Sequence, residues 1–191
     1  MTAQVQPYAA RLTIDYPEAD LDRLSSFFRL IWVIPIAIIE SLLSTVVWVA
    51  TAFMILFRQR YPRWWFAYNL ELTRFNTRVG AYVALLTDQY PSTEDEQAVH
   101  LELDYPNVPQ DLNRWLPIFK WLFAIPHYIV LFFIYIGVIV AVIVAWFAIL
   151  FTGRYPRSLF DFVVGAMRWT LRVNAYAFLL LTDTYPPFSL Q

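Results

Sequence analysis

From Trp121 to Phe151 the chain runs for 31 residues without an Asp, Glu, Lys or Arg, and its one histidine, His127, stands near the start. A helix needs about 20 residues to cross the hydrocarbon core of a bilayer, so a run this long predicts a membrane helix even when tilted. A second run, Leu30 to Phe57, holds 28 residues and one ionisable side chain, Glu40. Covering both runs inside a soluble bundle would take polar helices that the chain does not have. Its residues are 59% hydrophobic and 15% charged, where soluble domains are about a quarter charged. The expected class is an all-α integral membrane protein. Residues 1 to 29 are polar and acidic, so the first run reads as an uncleaved anchor rather than a signal peptide.

Composition narrows the chemistry. With no cysteine, disulfides, thiolate metal sites and cysteine nucleophiles are excluded. A net charge of -1 gives no bulk attraction to nucleic acid, and none is expected as a partner. Four glycines leave little room for phosphate-cradling loops, and no dinucleotide, Walker, Gly-x-Ser-x-Gly or His-Glu-x-x-His motif occurs.

The second half of the chain repeats the first. Leu12-Thr13-Ile14-Asp15-Tyr16-Pro17 returns as Leu101-Glu102-Leu103-Asp104-Tyr105-Pro106, and Arg29 with Ile34-Pro35 returns as Lys120 with Ile125-Pro126. Arg60-Tyr61-Pro62-Arg63 returns as Arg154-Tyr155-Pro156-Arg157, and Arg74 and Arg78 return as Arg168 and Arg172. Leu86-Thr87-Asp88 returns as Leu181-Thr182-Asp183, and over these pairs the offset drifts only from 89 to 95 residues. Repeat 1 is assigned to residues 1–97, with a membrane helix over about 30–57 and an amphipathic helix over about 64–86. Repeat 2 takes residues 98–191, with the corresponding helices over about 121–151 and 158–181.

Each repeat opens on an alternating stretch, Leu12, Ile14 and Tyr16 or Val99, Leu101, Leu103 and Tyr105, which reads as a strand or extended segment. The second helix of each repeat is amphipathic. Tyr68, Leu72, Phe75, Val79, Tyr82 and Leu86 share one face while Glu71, Arg74 and Arg78 lie on another, and Phe162, Ala166, Trp169, Val173, Tyr176 and Leu180 repeat the pattern against Arg168 and Arg172. The number of crossings stays open between two, four and a re-entrant hairpin. Arginines at mid-membrane would cost about 2.5 to 3.5 kcal/mol each, which favours second helices lying in the interface. One crossing per repeat would put the matching strands on opposite sides, where neither could pair, and an isolated strand is unstable. We therefore expect both strands on one side. Arg and Lys counts do not set the orientation, with seven between the two runs and seven outside them.

Arginine clusters beside the apolar runs mark candidate lipid-phosphate contacts or helix anchors: Arg60, Arg63, Arg74, Arg78, Arg154, Arg157, Arg168 and Arg172. Six of the twelve prolines follow tyrosine. Such pairs suit helix ends at a headgroup layer, because proline stops the helix and tyrosine is half apolar. Glu40 and His127 are the intramembrane polar candidates. For Glu40 a local bond to Ser41, Ser44 or an arginine competes with ion handling, and its counterpart near Leu131 is apolar. For His127 a bond to a neighbouring helix competes with ligation of haem or magnesium. Glu94, Asp95 and Glu96 read as solvated linker, and no metal or cofactor is expected.

The stretch from Trp146 through Thr152-Gly153-Arg154-Tyr155-Pro156 and Phe160-Asp161-Phe162, then Arg168-Trp169, Leu171-Arg172-Val173 and Leu181-Thr182-Asp183 to Tyr185-Pro186-Pro187-Phe188, resembles the domain-of-unknown-function family 4389 of bacterial membrane proteins. The resemblance covers nearly the whole chain as two copies. Repeat 1 departs from it, with Ile36 where repeat 2 has His127 and Arg58-Gln59-Arg60 where repeat 2 has Thr152-Gly153-Arg154. It implies a small helical bacterial membrane protein and carries over no site residues, and the expected location is the inner membrane. The function expected is a non-enzymatic accessory or scaffold subunit that packs on a larger membrane complex. The alternative is a small transporter or lipid-handling protein with a path at the repeat interface. Expected partners are membrane lipids and other membrane subunits or further copies of the chain.

Overall fold

The computed structural model describes residues 8–44 and 47–191, excepting the side chains of Leu30, Ala37, Ile39 to Ser44 and Val47. Strand β1 (Ala10–Ile14) pairs antiparallel with β2 (Val99–Leu103), Leu12 opposite Leu101. The corresponding segments of the two repeats thus share one side of the molecule. Alternation places Ala10, Leu12 and Ile14 in the core with Val99, Leu101 and Leu103. A lone two-stranded ribbon is marginal, and this one lies on helices that cover its apolar face.

Those helices are α3 (Arg63–Val83) under β2 and α7 (Arg157–Ala177) under β1, so each strand rests on the amphipathic helix of the other repeat. The expected 64–86 and 158–181 segments end a few residues early. Leu85 and Leu180, at φ 64 and 57, turn the chain left-handed after them, and the amide of Leu86 returns to the Ala81 carbonyl at 3.0 Å as that of Leu181 does to Ala175 at 2.9 Å. The C-terminal part of the expected apolar face is buried, Phe75, Val79, Tyr82 and Leu86 in repeat 1 and Ala166, Trp169, Val173, Tyr176 and Leu180 in repeat 2, whereas Leu72 and Phe162 are half-buried and Tyr68, near the start of α3, is exposed.

The first apolar run, expected as a helix over about 30–57, is helical throughout its described residues. Helix α1 (Arg23–Ser44) starts well before the run and passes through Pro35, and α2 (Val47–Arg58) follows. Hydropathy counts composition and is blind to capping. The Asp22 carboxylate accepts the amides of Leu24 at 2.9 Å and Ser25 at 3.4 Å and so begins the helix ahead of the apolar residues. The second run is divided near its start. After α4 (Val108–Asp111) and a 3-10 turn at Leu116–Ile118 come α5 (Lys120–Phe123) and, beyond Ala124, α6 (Ile125–Thr152). Pro126 sits in the first turn of α6, where its missing amide donor costs nothing.

Helix α6 has 28 residues and a mean hydropathy of 3.0 in its most apolar window, of which 22% is buried. Among the described residues it is the one helix long and apolar enough to cross a membrane. A stripe of Leu131, Val138, Ala141, Ala145 and Ile149 faces the protein. The remaining faces present Phe132, Phe133, Ile136, Ile139, Val140 and Ile143 outward. α6 packs on α7 within its repeat and on α1 across the repeats, while α1 packs on α3.

Candidate functional site

The repeats interlock through matched polar contacts. The Tyr16 hydroxyl donates to the Tyr155 carbonyl, and the Tyr105 hydroxyl donates to the Tyr61 carbonyl. Each Asp-Tyr-Pro strand end is thereby fastened to the Arg-Tyr-Pro turn of the other repeat. Arg157 lies over the Tyr16 ring at 4.6 Å and Arg63 over Tyr105 at 5.6 Å. Arg168 Nε donates to the Leu12 carbonyl at 3.1 Å, and Arg74 Nε to the Leu101 carbonyl at 3.1 Å. Arg78 and Arg172 reach the carbonyls of Ser92 and Ser189. Main-chain oxygens are therefore the partners of these four, with Glu71 the one acid among them, 2.6 Å from Arg74. Burial, and secondarily Arg168, lowers the pKa of Arg172. Arg154 meets Asp20 at 3.1 Å and Arg157 meets Asp161 at 3.3 Å, both on the exposed surface, and Arg60 is exposed.

A second matched pair is deeper. Arg29, with 2% of its side chain exposed, donates to the carbonyls of Tyr82 at 3.0 Å and Thr87 at 2.6 Å, pairs with Asp88, and lies 4.3 Å over the Tyr82 ring. Its counterpart Lys120, fully buried, donates to the Thr182 carbonyl at 2.8 Å, meets Asp183 at 2.7 Å, and lies 5.2 Å over Tyr176. Burial pushes the Lys120 ammonium below its ordinary value, with Asp183 opposing. The other carboxylate oxygens accept the Asp22 amide at 2.7 Å and the Asn113 amide at 2.6 Å, just ahead of α1 and the 3-10 turn. The repeat alignment already pairs Arg29 with Lys120 and Asp88 with Asp183. That each cation meets its acid across more than 50 residues has no local signal.

His127 is fully buried, and its Nδ1 accepts the Trp169 indole N–H at 3.1 Å. Its ring stacks on Phe188, with centroids 3.9 Å apart. Repeat 1 fills the same place with Ile36, Phe75 and Val79. Glu40 falls on α1, but its side chain lies outside the described residues. Glu94, Asp95 and Glu96 are exposed, and among the described residues no group of acids and histidines is arranged to hold a metal.

Between α3 and α7 lies a cleft of about 460 Å³. Its polar lining is Asn69, Thr73, Asn76, Thr77, Thr170 and Asn174, and its apolar lining includes Trp48, Leu72 and Phe178. Tyr135 of α6 closes one side, its hydroxyl 3.0 Å from that of Thr170. These residues fell outside the sequence-based candidates, since an uncharged Asn/Thr lining resembles ordinary helix surface until two helices face each other.

A family model described as a domain of unknown function, DUF4389, matches residues 23–93 and again 115–189. The chain belongs to this family. It carries two tandem copies, whose limits coincide with α1 through the Tyr90-Pro91 turn and with the 3-10 turn through the tail. No curated protein and no solved structure matches the chain.

Proposed function

We propose that the chain is an integral protein of a bacterial inner membrane and a non-enzymatic accessory or scaffold subunit that packs sideways on a larger membrane protein. The observation that carries this reading is the outward face of α6, where Phe132, Phe133, Ile136, Ile139, Val140 and Ile143 are all exposed and apolar. The buried cations support it, because Arg29, Lys120 and Arg172 all have partners within the chain itself. Association in lipid depends on shape, since the bilayer is as apolar as the helix. The test therefore keeps hydropathy and changes contour: Phe132→Leu with Phe133→Leu and Ile139→Leu. Affinity purification in mild detergent should recover stoichiometric partner subunits with the parent and lose them with the triple variant, while both stay in the membrane fraction. Recovery of the parent alone, or an unchanged complex with the variant, refutes the subunit reading.

The cleft at the repeat interface favours a second reading, a lipid-handling protein, because it places uncharged polar side chains beside the apolar helix.

A further inference from the structure

We propose that the cleft between α3 and α7 binds an uncharged, hydroxyl-bearing lipid of the diacylglycerol type. This deepens the lipid-handling reading and rests on α6 being seated in the membrane. Two side chains of the lining carry a buried polar atom with no hydrogen-bond partner among the described residues: Asn69, 1% exposed, whose Oδ1 is unmet while its Nδ2 donates to the Tyr61 hydroxyl at 2.8 Å, and Trp48, whose Nε1 is unmet. Buried polar groups are nearly always hydrogen-bonded, and leaving one unmet is costly, so an acceptor and a donor orphaned on one cleft point to an occupant that satisfies both.

The rest of the lining specifies that occupant. It contains no Asp, Glu, Lys, Arg or His, so a phosphate, carboxylate or ammonium would enter without a counter-charge. The hydroxyl protons of Thr73, Thr77 and Thr170 are already directed at the carbonyls of Asn69, Thr73 and Ala166, at 2.6, 2.7 and 2.9 Å. Each of these hydroxyls keeps lone pairs to accept with. The lining thus offers both kinds of group, acceptors on Asn69 and the threonine hydroxyls and donors on the Trp48 N–H and the Asn174 carboxamide. A ligand offering only carbonyls, such as a quinone, would leave Asn69 unmet, whereas an alcohol both donates and accepts. Leu72, Leu179 and Phe178 provide apolar wall for the glycerol ester and upper chain, and about 460 Å³ holds that portion of a lipid. Tyr135 places the cleft three turns into α6, so the occupant would enter from the hydrocarbon side.

The test reconstitutes the full chain in phosphatidylcholine nanodiscs doped with a diacylglycerol that carries a photoactivatable diazirine on one acyl chain. Phosphatidic acid with the same chain is the charged control. Cross-links from the diacylglycerol should map to α3 between Asn69 and Gly80 and to α7 between Met167 and Asn174, and excess unlabelled dioleoylglycerol should compete them away. Trp48→Phe keeps the ring and removes the donor, so labelling should fall about threefold to tenfold. Thr73→Phe fills the cleft and should abolish labelling while the melting temperature of the protein stays near that of the parent. Equal labelling by phosphatidic acid, cross-links confined to the outer face of α6, or no effect of either variant overturns the proposal. If the parent does not enter nanodiscs at all, the membrane seat itself is wrong and the lipid class falls with it. A parent that enters and labels nowhere in the cleft refutes the site alone.

Discussion

Repeat 1 buries Arg29 on Asp88 and Tyr82, and repeat 2 buries Lys120 on Asp183 and Tyr176 at the matching place. The swapped tyrosines and the strand-holding arginines match in the same way. Elsewhere the copies diverge: Ile36 with Phe75 against His127 with Trp169, and Gln59 against Gly153. Within the matched set the tyrosines and strand-holding arginines join strand to turn and strand to helix across the repeats, and each buried cation ties the start of its own repeat to that repeat's end, so together they define how the halves fold and assemble. The Ile36 and His127 clusters lie inside each half, where one apolar or polar solution serves as well as another. Changing a matched residue should therefore cost more than exchanging a divergent one.

The largest effect should come from the buried cations. Asp88→Ala leaves a guanidinium uncompensated, and removal of one partner of a buried pair costs about 3 kcal/mol or more. Asp183→Ala should cost less, because an amine can lose its proton and a guanidinium does not. The sign can be followed with pH. Folded Lys120 releases its proton below the ordinary lysine value of 10.5, so unfolding takes up a proton in that window and stability rises with pH. Loss of Asp183 widens the window downward. The deficit of Asp183→Ala relative to the parent should shrink between pH 7 and about 10, whereas that of Asp88→Ala should not. Thermal unfolding in detergent across this range decides it, and parallel curves for the two variants would break the comparison.

Sequence went far with what repeats and periodicity encode. The duplication predicts that the two Asp-Tyr-Pro segments share a side, and β1 pairs with β2. The spacing of Phe75, Val79 and Tyr82 marks the buried face of α3. It went less far where the partner is a carbonyl or a cap. Arg74 and Arg168 read as lipid-phosphate contacts or helix anchors, but the carbonyls of Leu101 and Leu12 that they hold carry no residue-type signature. The α1 start is set by Asp22, which hydropathy passes over. The cleft was illegible because it exists only once α3 and α7 face each other.

The next effect concerns the divergent polar pair. His127→Ile copies repeat 1 and strips the buried Trp169 N–H of its acceptor, which should cost about 2 kcal/mol. Adding Trp169→Phe, the other half of the repeat 1 solution, removes the orphan and should recover most of the loss. Unfolding of the single and double variants measures the coupling. Additive losses would show that the His127 environment does more than satisfy one hydrogen bond.

Smaller is the effect of each swapped tyrosine. Tyr16→Phe and Tyr105→Phe each delete one hydroxyl-to-carbonyl bond between repeats and should cost about 1 kcal/mol apiece. The two costs should be equal within error if the halves dock symmetrically. A cost confined to one variant would show that one strand carries the assembly and the other follows.

The smallest effect tests the turn after α2. Gln59 holds φ 48 where its counterpart Gly153 holds φ 77. A left-handed conformation costs a residue with a Cβ about 1 kcal/mol or more, while glycine adopts it freely. Glycine also gains entropy in the unfolded chain, which returns about 0.5 to 1 kcal/mol of that difference. Gln59→Gly should thus leave stability within about 0.5 kcal/mol of the parent, on the favourable side. At Gly153 a Cβ would also come within 3.1 Å of the Asp20 carboxyl, a contact that repeat 1 does not impose on Gln59. A clear loss of melting temperature in Gln59→Gly would mean that the glutamine side chain itself, and not the turn geometry shared by the repeats, fixes the end of α2.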